Sequence, residues 1–286
     1  MHRLLRTLAL VAAASLPVAA LAAPEPIKVG ALLAVTGPAS LLGAPEARTL
    51  EMRVQELNAK GGVGGRPVQL VLKDTGSSPE KAVSFARQLI EEEKVFAIIG
   101  PSTSGESMAV KAICEEGKTL LLSAAAAEAI VNPTLPHVFK VAPKDSFAVE
   151  VIFQRMKKMG ITRIGLLSSN TGFGKGGKEQ VEKLAPQYGI TLAVNEVYDK
   201  SATDLTAEVT KLKGAGVQAV LNWSIEPAQS IVVKNVRQLG LTIPIFLLSS
   251  VDELTLNQRV RECQAAGSIR KGDSAGLMRA VAKLLR

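Results

Sequence analysis

From Ile27 to Leu248, short apolar runs alternate with stretches of helical periodicity, and this alternation limits the fold more than any other feature. Ile27–Leu33, Val68–Lys73, Val95–Ile99 and Thr119–Leu122 read as buried strands. Glu46–Lys60, the stretch opened by Pro79, and the stretch ending at Gly117 read as helices between them. Strands alternating with helices predict an α/β fold with parallel sheets covered on both faces. After the proline-rich stretch Asn132–Pro143, a crossover, the alternation starts again. It runs through helix Asp145–Met159, strand Thr162–Leu167, loop Ser168–Gly177, helix Lys178–Gln187 and strand Thr191–Tyr198. Helix Asp204–Lys213, strand Val217–Trp223, helix Pro227–Leu239 and a last strand Pro244–Leu248 complete it. The expectation is two doubly wound lobes, residues 23–142 and 143–249, followed by a tail at 250–286.

Residues 1–22 read as a secretory signal. Arg3 and Arg6 form the basic start, Leu8–Ala14 the apolar centre, and Ala20-Leu21-Ala22 the cleavage site. The apolar stretch is broken by Pro17 and falls short of the roughly 20 residues of a membrane span. Export to the periplasm follows. Two cysteines, Cys114 and Cys263, could pair there, but their spacing does not demand it.

The formal charge of +8 is partly carried by the leader and by the tail, which holds seven Lys/Arg against four Asp/Glu. Aromatic residues make up 3%, too few to interleave with a basic patch, which argues against nucleic acid as a partner. His137 is the single histidine after the leader, so neither a Ser-His-Asp triad nor a histidine metal cluster can be assembled, and no cofactor or metal is expected. Asp74-Thr75-Gly76 resembles an aspartic-protease triplet without the second one that such chemistry needs. Gly172–Lys178 fits two phosphate-binding templates, but Glu179 stands where a magnesium-binding hydroxyl belongs. The run is read as a glycine-rich surface loop.

In a doubly wound sheet, ligands bind beyond the carboxyl ends of the strands. Ser102, Thr103 and Ser104 follow one such end and open a helix, where hydroxyls and free N–H groups suit a carboxylate. Thr103 and Glu106 also fit a capping box, which needs no ligand.

Several strings occur together: IKVGALLAVTGPASLLG, LNAKGGVGGRPVQLVLKDTGSSPEKAV, VFAIIGPSTSGESMAV, TGFGKGG and DLTAEVTKLKGAGVQAVL. With them the chain, from about Ile27 to about Leu248, resembles the periplasmic substrate-binding proteins of ABC importers, in the leucine/isoleucine/valine family. The resemblance implies a type I periplasmic-binding-protein fold, a ligand held between two lobes, delivery to a membrane permease, and no catalysis. It implies that Ser104 holds a ligand carboxylate and that Ala125 contributes backbone. Ala127 falls where threonine is usual, Phe173 where tyrosine is usual, and Trp223–Ile225 in a loop that often carries an aromatic. The ammonium partner is expected near Ser249–Ser250, and neither of those positions is an acid. An amine-free aromatic or aliphatic acid is therefore the expected ligand. A branched-chain amino acid, with Glu226 or Asp252 catching the ammonium, is the alternative, as is a sensor or a decayed remnant.

The resemblance stops after Ser250. The family's return to the first lobe is then missing or replaced, and the first lobe should keep an uncovered apolar face. Within the tail, Leu277, Val281 and Leu284, with Arg279, Lys283 and Arg286, read either as a basic amphipathic helix or as a solvated tail.

Overall fold

The computed structural model describes residues 24–243 and the backbone of two further strands, 246–249 and 267–270. Its first sheet holds β1 (Ile27–Leu33), β2 (Val68–Asp74), β3 (Ala97–Ile99), β4 (Leu120–Ser123) and β5 (Val138–Lys140). They lie in the order β2-β1-β3-β4-β5, all neighbours parallel. The helices between them are α1 (Ser40–Ala59), α2 (Pro79–Arg87) and α3 (Ser104–Glu116). The second sheet has the order β7-β6-β8, from β6 (Arg163–Ser169), β7 (Thr191–Tyr198) and β8 (Ala219–Trp223). It is served by α4 (Asp145–Lys158), α5 (Gly172–Leu184), α6 (Thr206–Gly214) and α7 (Ala228–Gln238).

The helix starts have local causes. Ser78 accepts the Lys81 N–H ahead of Pro79, whose fixed φ suits a first helical turn. Thr103 and Glu106 form the reciprocal capping box that their spacing predicts. Thr171 accepts the Gly174 N–H and so starts α5 within the expected loop. That loop is therefore short, and Gly172–Gly177 are the first turns of a helix. Glycine costs a helix roughly 1 kcal/mol per residue, so something must require each one.

The two faces of the first sheet differ. On one, Leu32, Ile98 and Leu121 pack against Ala82, Ala86, Leu89, Val110 and Cys114, all fully buried. On the other, Ala47 and Leu50 of α1 pack against Ala31 and Leu33, with Leu70 and Leu72 beside them, the smallest of the core clusters among the described residues. The parallel register aligns Leu72, Ala31, Ile99, Leu122 and Phe139 in one row across all five strands. Burial fades along that row to Phe139, which is 49% exposed. The second sheet is covered on both faces. Phe153, Ile164, Leu166, Val181 and Trp223 form one core, and Leu167, Val209, Leu212 and Val232 the other.

The last expected strand is present as β9 (Phe246–Ser249), but it pairs in parallel with β10 (Gly267–Arg270) and not with β8. The leader, Cys263, Asp252, Ser250 and the predicted amphipathic segment lie outside the described residues.

Candidate functional site at the lobe boundary

The carboxyl ends of β1–β4 are tied together by hydroxyl groups. Ser102 Oγ accepts the Ala34 N–H at 3.1 Å and donates to Glu46 at 2.5 Å, which anchors the β3–α3 turn to the end of β1 and to α1. Thr103 is engaged within its own helix. Its N–H and hydroxyl both donate to Glu106 Oε2, at 3.2 and 2.6 Å. Ser104 is 1% exposed, and its Oγ accepts the Ala127 N–H at 3.2 Å. The Ala125 N–H donates to Ser123 Oγ at 3.1 Å, and Ser123 and Ser107 share a hydrogen bond of 2.7 Å. Ala125 and Ala127 thus spend their backbone donors inside the protein. Accepting from Ala127 leaves the hydroxyl proton of Ser104 to be donated. The N–H groups of Ser104 and Gly105, in the first turn of α3, have no intrahelical acceptor.

Gly100 permits this turn. Its φ is +96°, and a β-carbon there would stand 2.1 Å from the Leu32 carbonyl oxygen. Nearby, Asp74 accepts from the Thr36 N–H, the Thr36 hydroxyl and the Gly76 N–H at 2.7–3.1 Å. Burial pushes its carboxyl upward, but these bonds outweigh it and hold the group below the usual carboxylate range. The triplet therefore braces two loops. His137 has a similar office before β5, where its N–H and ring bind Glu115 at 2.9 and 3.1 Å.

The second lobe meets this edge with the start of α5. A β-carbon on Gly176 would lie 3.2 Å from the Ala127 methyl group, and Gly172 abuts Gly105. Within its own lobe, Gly177 lies under the Trp223 indole, whose atoms would stand 2.1–2.2 Å from an added β-carbon. Close approach on two sides thus explains the glycine run, with no need for a phosphate. To one flank, Glu80 is held below the usual range first by the Ser78 hydroxyl and further by the charge of Lys200 in the second lobe.

Phe173 and Trp223 pack with ring centroids 5.8 Å apart and planes tilted by 37°. Trp223 is 6% exposed and belongs to the core beneath α5, where its Nε1 is buried without a partner among the described residues. Beyond β8, Ser224 and Glu226 form a compact buried turn. Glu226 Oε2 accepts the Ser224 hydroxyl at 2.6 Å and the Ile225 N–H at 3.1 Å. Tyr198 joins through its bond to Asn222 at 2.8 Å, and burial pushes its phenol up to about 12. Glu226 has no basic partner within ion-pair distance among the described residues.

The structure therefore brings Ser102, Thr103, Ser104, Ala125 and Ala127 to one sheet edge, and Phe173 and Trp223 to the facing one. The sequence offers Glu226 only as an alternative and Ser224 only within the Trp223–Ile225 loop, and it gives no sign of Asn222 or of the Gly105–Gly172 contact. Serine next to a buried acid carries no periodic signal. Cys114 is a buried free thiol, pushed up to about 12 by burial. Among the described residues, no cluster of three or more His, Cys, Asp or Glu could hold a metal ion.

The chain belongs to the periplasmic binding protein family, whose profile matches residues 26–262. The match runs past Ser250 into the first part of the tail, which corrects the expectation that the resemblance stops after Ser250. The Leu/Ile/Val-binding protein homolog 7 of Brucella abortus (strain 2308) is 28% identical over 237 residues, covering 79% of this chain and 59% of that protein. The chain thus spans about three fifths of that relative's length. The periplasmic binding protein type 1 of Bordetella pertussis Tohama I superposes with a TM-score of 0.77 at 21% identity, over 91% of this chain and 74% of its own, and shows the fold. The LivJ branched-chain amino-acid transporter substrate-binding protein of Streptococcus pneumoniae, solved with isoleucine, superposes with a TM-score of 0.73 at 25% identity. That match covers 84% of this chain and 69% of the other.

Proposed function

We propose that this protein binds a small apolar amino acid between its lobes and presents it to the membrane permease of an ABC importer on the outer side of the inner membrane. The observation that carries the reading is Ser104. It is buried at the start of α3, has a hydroxyl proton to donate, and stands next to first-turn N–H groups where the lobes meet. A carboxylate there would take charge-assisted bonds of about 1.5–3 kcal/mol each and would complement the helix dipole. Glu226 supplies a buried acid in the opposite lobe, and Phe173, half-buried against the core Trp223, offers apolar surface. An ammonium without a carboxylate would cost several kcal/mol. The names of the Brucella and Streptococcus relatives agree with an amino-acid ligand.

A second reading rests on Ala127 and Phe173, which offer no side-chain hydroxyl to an amino-acid backbone. It gives the site an amine-free acid of similar shape. Thermal melting with leucine, isoleucine, 4-methylpentanoate and benzoate separates the two. A ligand at about 100 times its Kd adds roughly 2.7 kcal/mol of stability. Stabilisation by leucine or isoleucine alone supports the amino-acid reading. Stabilisation by the acids alone replaces it with the second, and no shift with any of the four overturns both.

A further inference from the structure

Gly105 and Gly172 bring the lobes together as bare main chain, and the residues flanking that contact carry charge. In the first lobe, a β-carbon on Gly105 would lie 3.9 Å from the Pro79 ring, and Glu80 follows Pro79 in the first turn of α2. The Ser78 hydroxyl donates to Glu80 Oε2 at 2.7 Å and fixes where that carboxylate stands. In the second lobe, Asn170, two residues ahead of Gly172, accepts the Lys200 N–H at 3.0 Å. Its side-chain amide donates to Asp199 at 2.8 Å, so the loop that follows β7 is tied to the end of β6.

The neighbouring charges are engaged elsewhere. Asp199 also accepts the Ser201 N–H, at 2.8 Å, and the Ser201 hydroxyl. Lys81 turns toward Gly76, where a β-carbon would lie 3.7 Å from its Nζ. Lys200 is exposed and has no acid within ion-pair distance among the described residues. Its charge is nevertheless felt at Glu80, after the larger effect of the Ser78 hydroxyl. An exposed pair is a weak force. It matters where two arrangements of the lobes are close in free energy, because a few-fold bias then changes which one prevails.

We propose that Glu80 and Lys200 form an electrostatic latch across the lobe boundary. Each is seated by a hydrogen bond in its own lobe, and their attraction favours the arrangement in which Gly105 meets Gly172. Salt weakens the latch, so ionic strength sets how readily the lobes part and release what they hold. The inference rests on the reading that the lobes open and close around a ligand, but its test needs no ligand.

The test uses the full chain without ligand, with nitroxide labels on p-acetylphenylalanine in place of Glu116 and Lys183. Both residues are exposed and lie near the far ends of α3 and α5, whose first turns meet at the seam. Pulsed dipolar spectroscopy then reads the closed and open populations as a shorter and a longer distance. At about 0.01 M salt, Lys200→Glu or Glu80→Lys should each lower the closed-to-open ratio about threefold, and the two together should restore it to within about twofold. At about 1 M salt, where screening acts within about 3 Å, all four proteins should agree. Losses that add in the double variant would overturn the latch in favour of local damage. Distances that ignore charge and salt, or a single arrangement throughout, would overturn it as well. Failure of leucine to raise the melting temperature would sink the amino-acid reading and leave this one standing, so the two fail separately.

Discussion

Gly172 stands so close to Gly105 that a β-carbon on it would lie 2.7 Å from the Gly105 nitrogen and 2.8 Å from its Cα. The contact is unequal in its tolerance. A β-carbon on Gly105 would meet nothing nearer than the Gly172 nitrogen, at 3.8 Å. Gly172→Ala should therefore force the lobes apart, and Gly105→Ala should not. The expected result is a loss of ligand affinity of about tenfold or more, roughly 1.4 kcal/mol, for the first and less than about threefold for the second. Small-angle scattering of the liganded protein should show a larger radius of gyration for Gly172→Ala alone.

Adjacent serines divide the labour at the β3–α3 turn. Ser102→Ala strips the Ala34 N–H of its acceptor, and Ser104→Ala does the same to Ala127. Each should cost about 1–3 kcal/mol of stability, read by urea unfolding. Titration calorimetry should separate them, with affinity falling about tenfold or more for Ser104→Ala and holding within about twofold for Ser102→Ala.

Asp74 makes stability sensitive to acid. Its carboxyl is held below its unfolded value, so the unfolded chain binds the proton more readily. The stabilisation is complete above the ordinary carboxylate range and is lost as pH falls through the depressed folded value. Thr36→Val removes the hydroxyl donor at 2.7 Å and should move the acid-unfolding midpoint to higher pH. A midpoint that stays in place would show that the two backbone N–H groups suffice.

Trp223 is the single tryptophan of the chain, so its emission reports on the packing under α5. Gly177→Ala drives a methyl group into the indole and should cost about 1–3 kcal/mol through overpacking. The emission maximum should shift to the red in the native state. Phe173→Leu, which removes the tilted ring 5.8 Å away, should alter intensity more than stability.

Much of this architecture is legible in the residues themselves. The strand-like runs at Ile27 and Val95 and the Thr103–Glu106 pair announce β1, β3 and the start of α3, because period and capping are local properties. Gly172–Gly177 misleads for the same reason. Local propensity reads it as loop, and only contacts with Gly105 and Trp223, distant in sequence, make a glycine helix worthwhile. Ser102 reads as a ligand group until Glu46 and Ala34, 56 and 68 positions away, are seen to occupy it. The pairing of β9 with β10 was hidden because strand partnership across an intervening stretch leaves no periodic trace.

The seam between the lobes is main chain against main chain at Gly105 and Gly172, and main chain against a methyl group at Gly176 and Ala127. The Gly105–Gly172 part of that seam, being backbone alone, presents no side chain to a ligand. The surfaces that meet could be kept unaltered while Phe173, Trp223 or Glu226 were exchanged, so this scaffold can acquire a new diet without relearning how to bite.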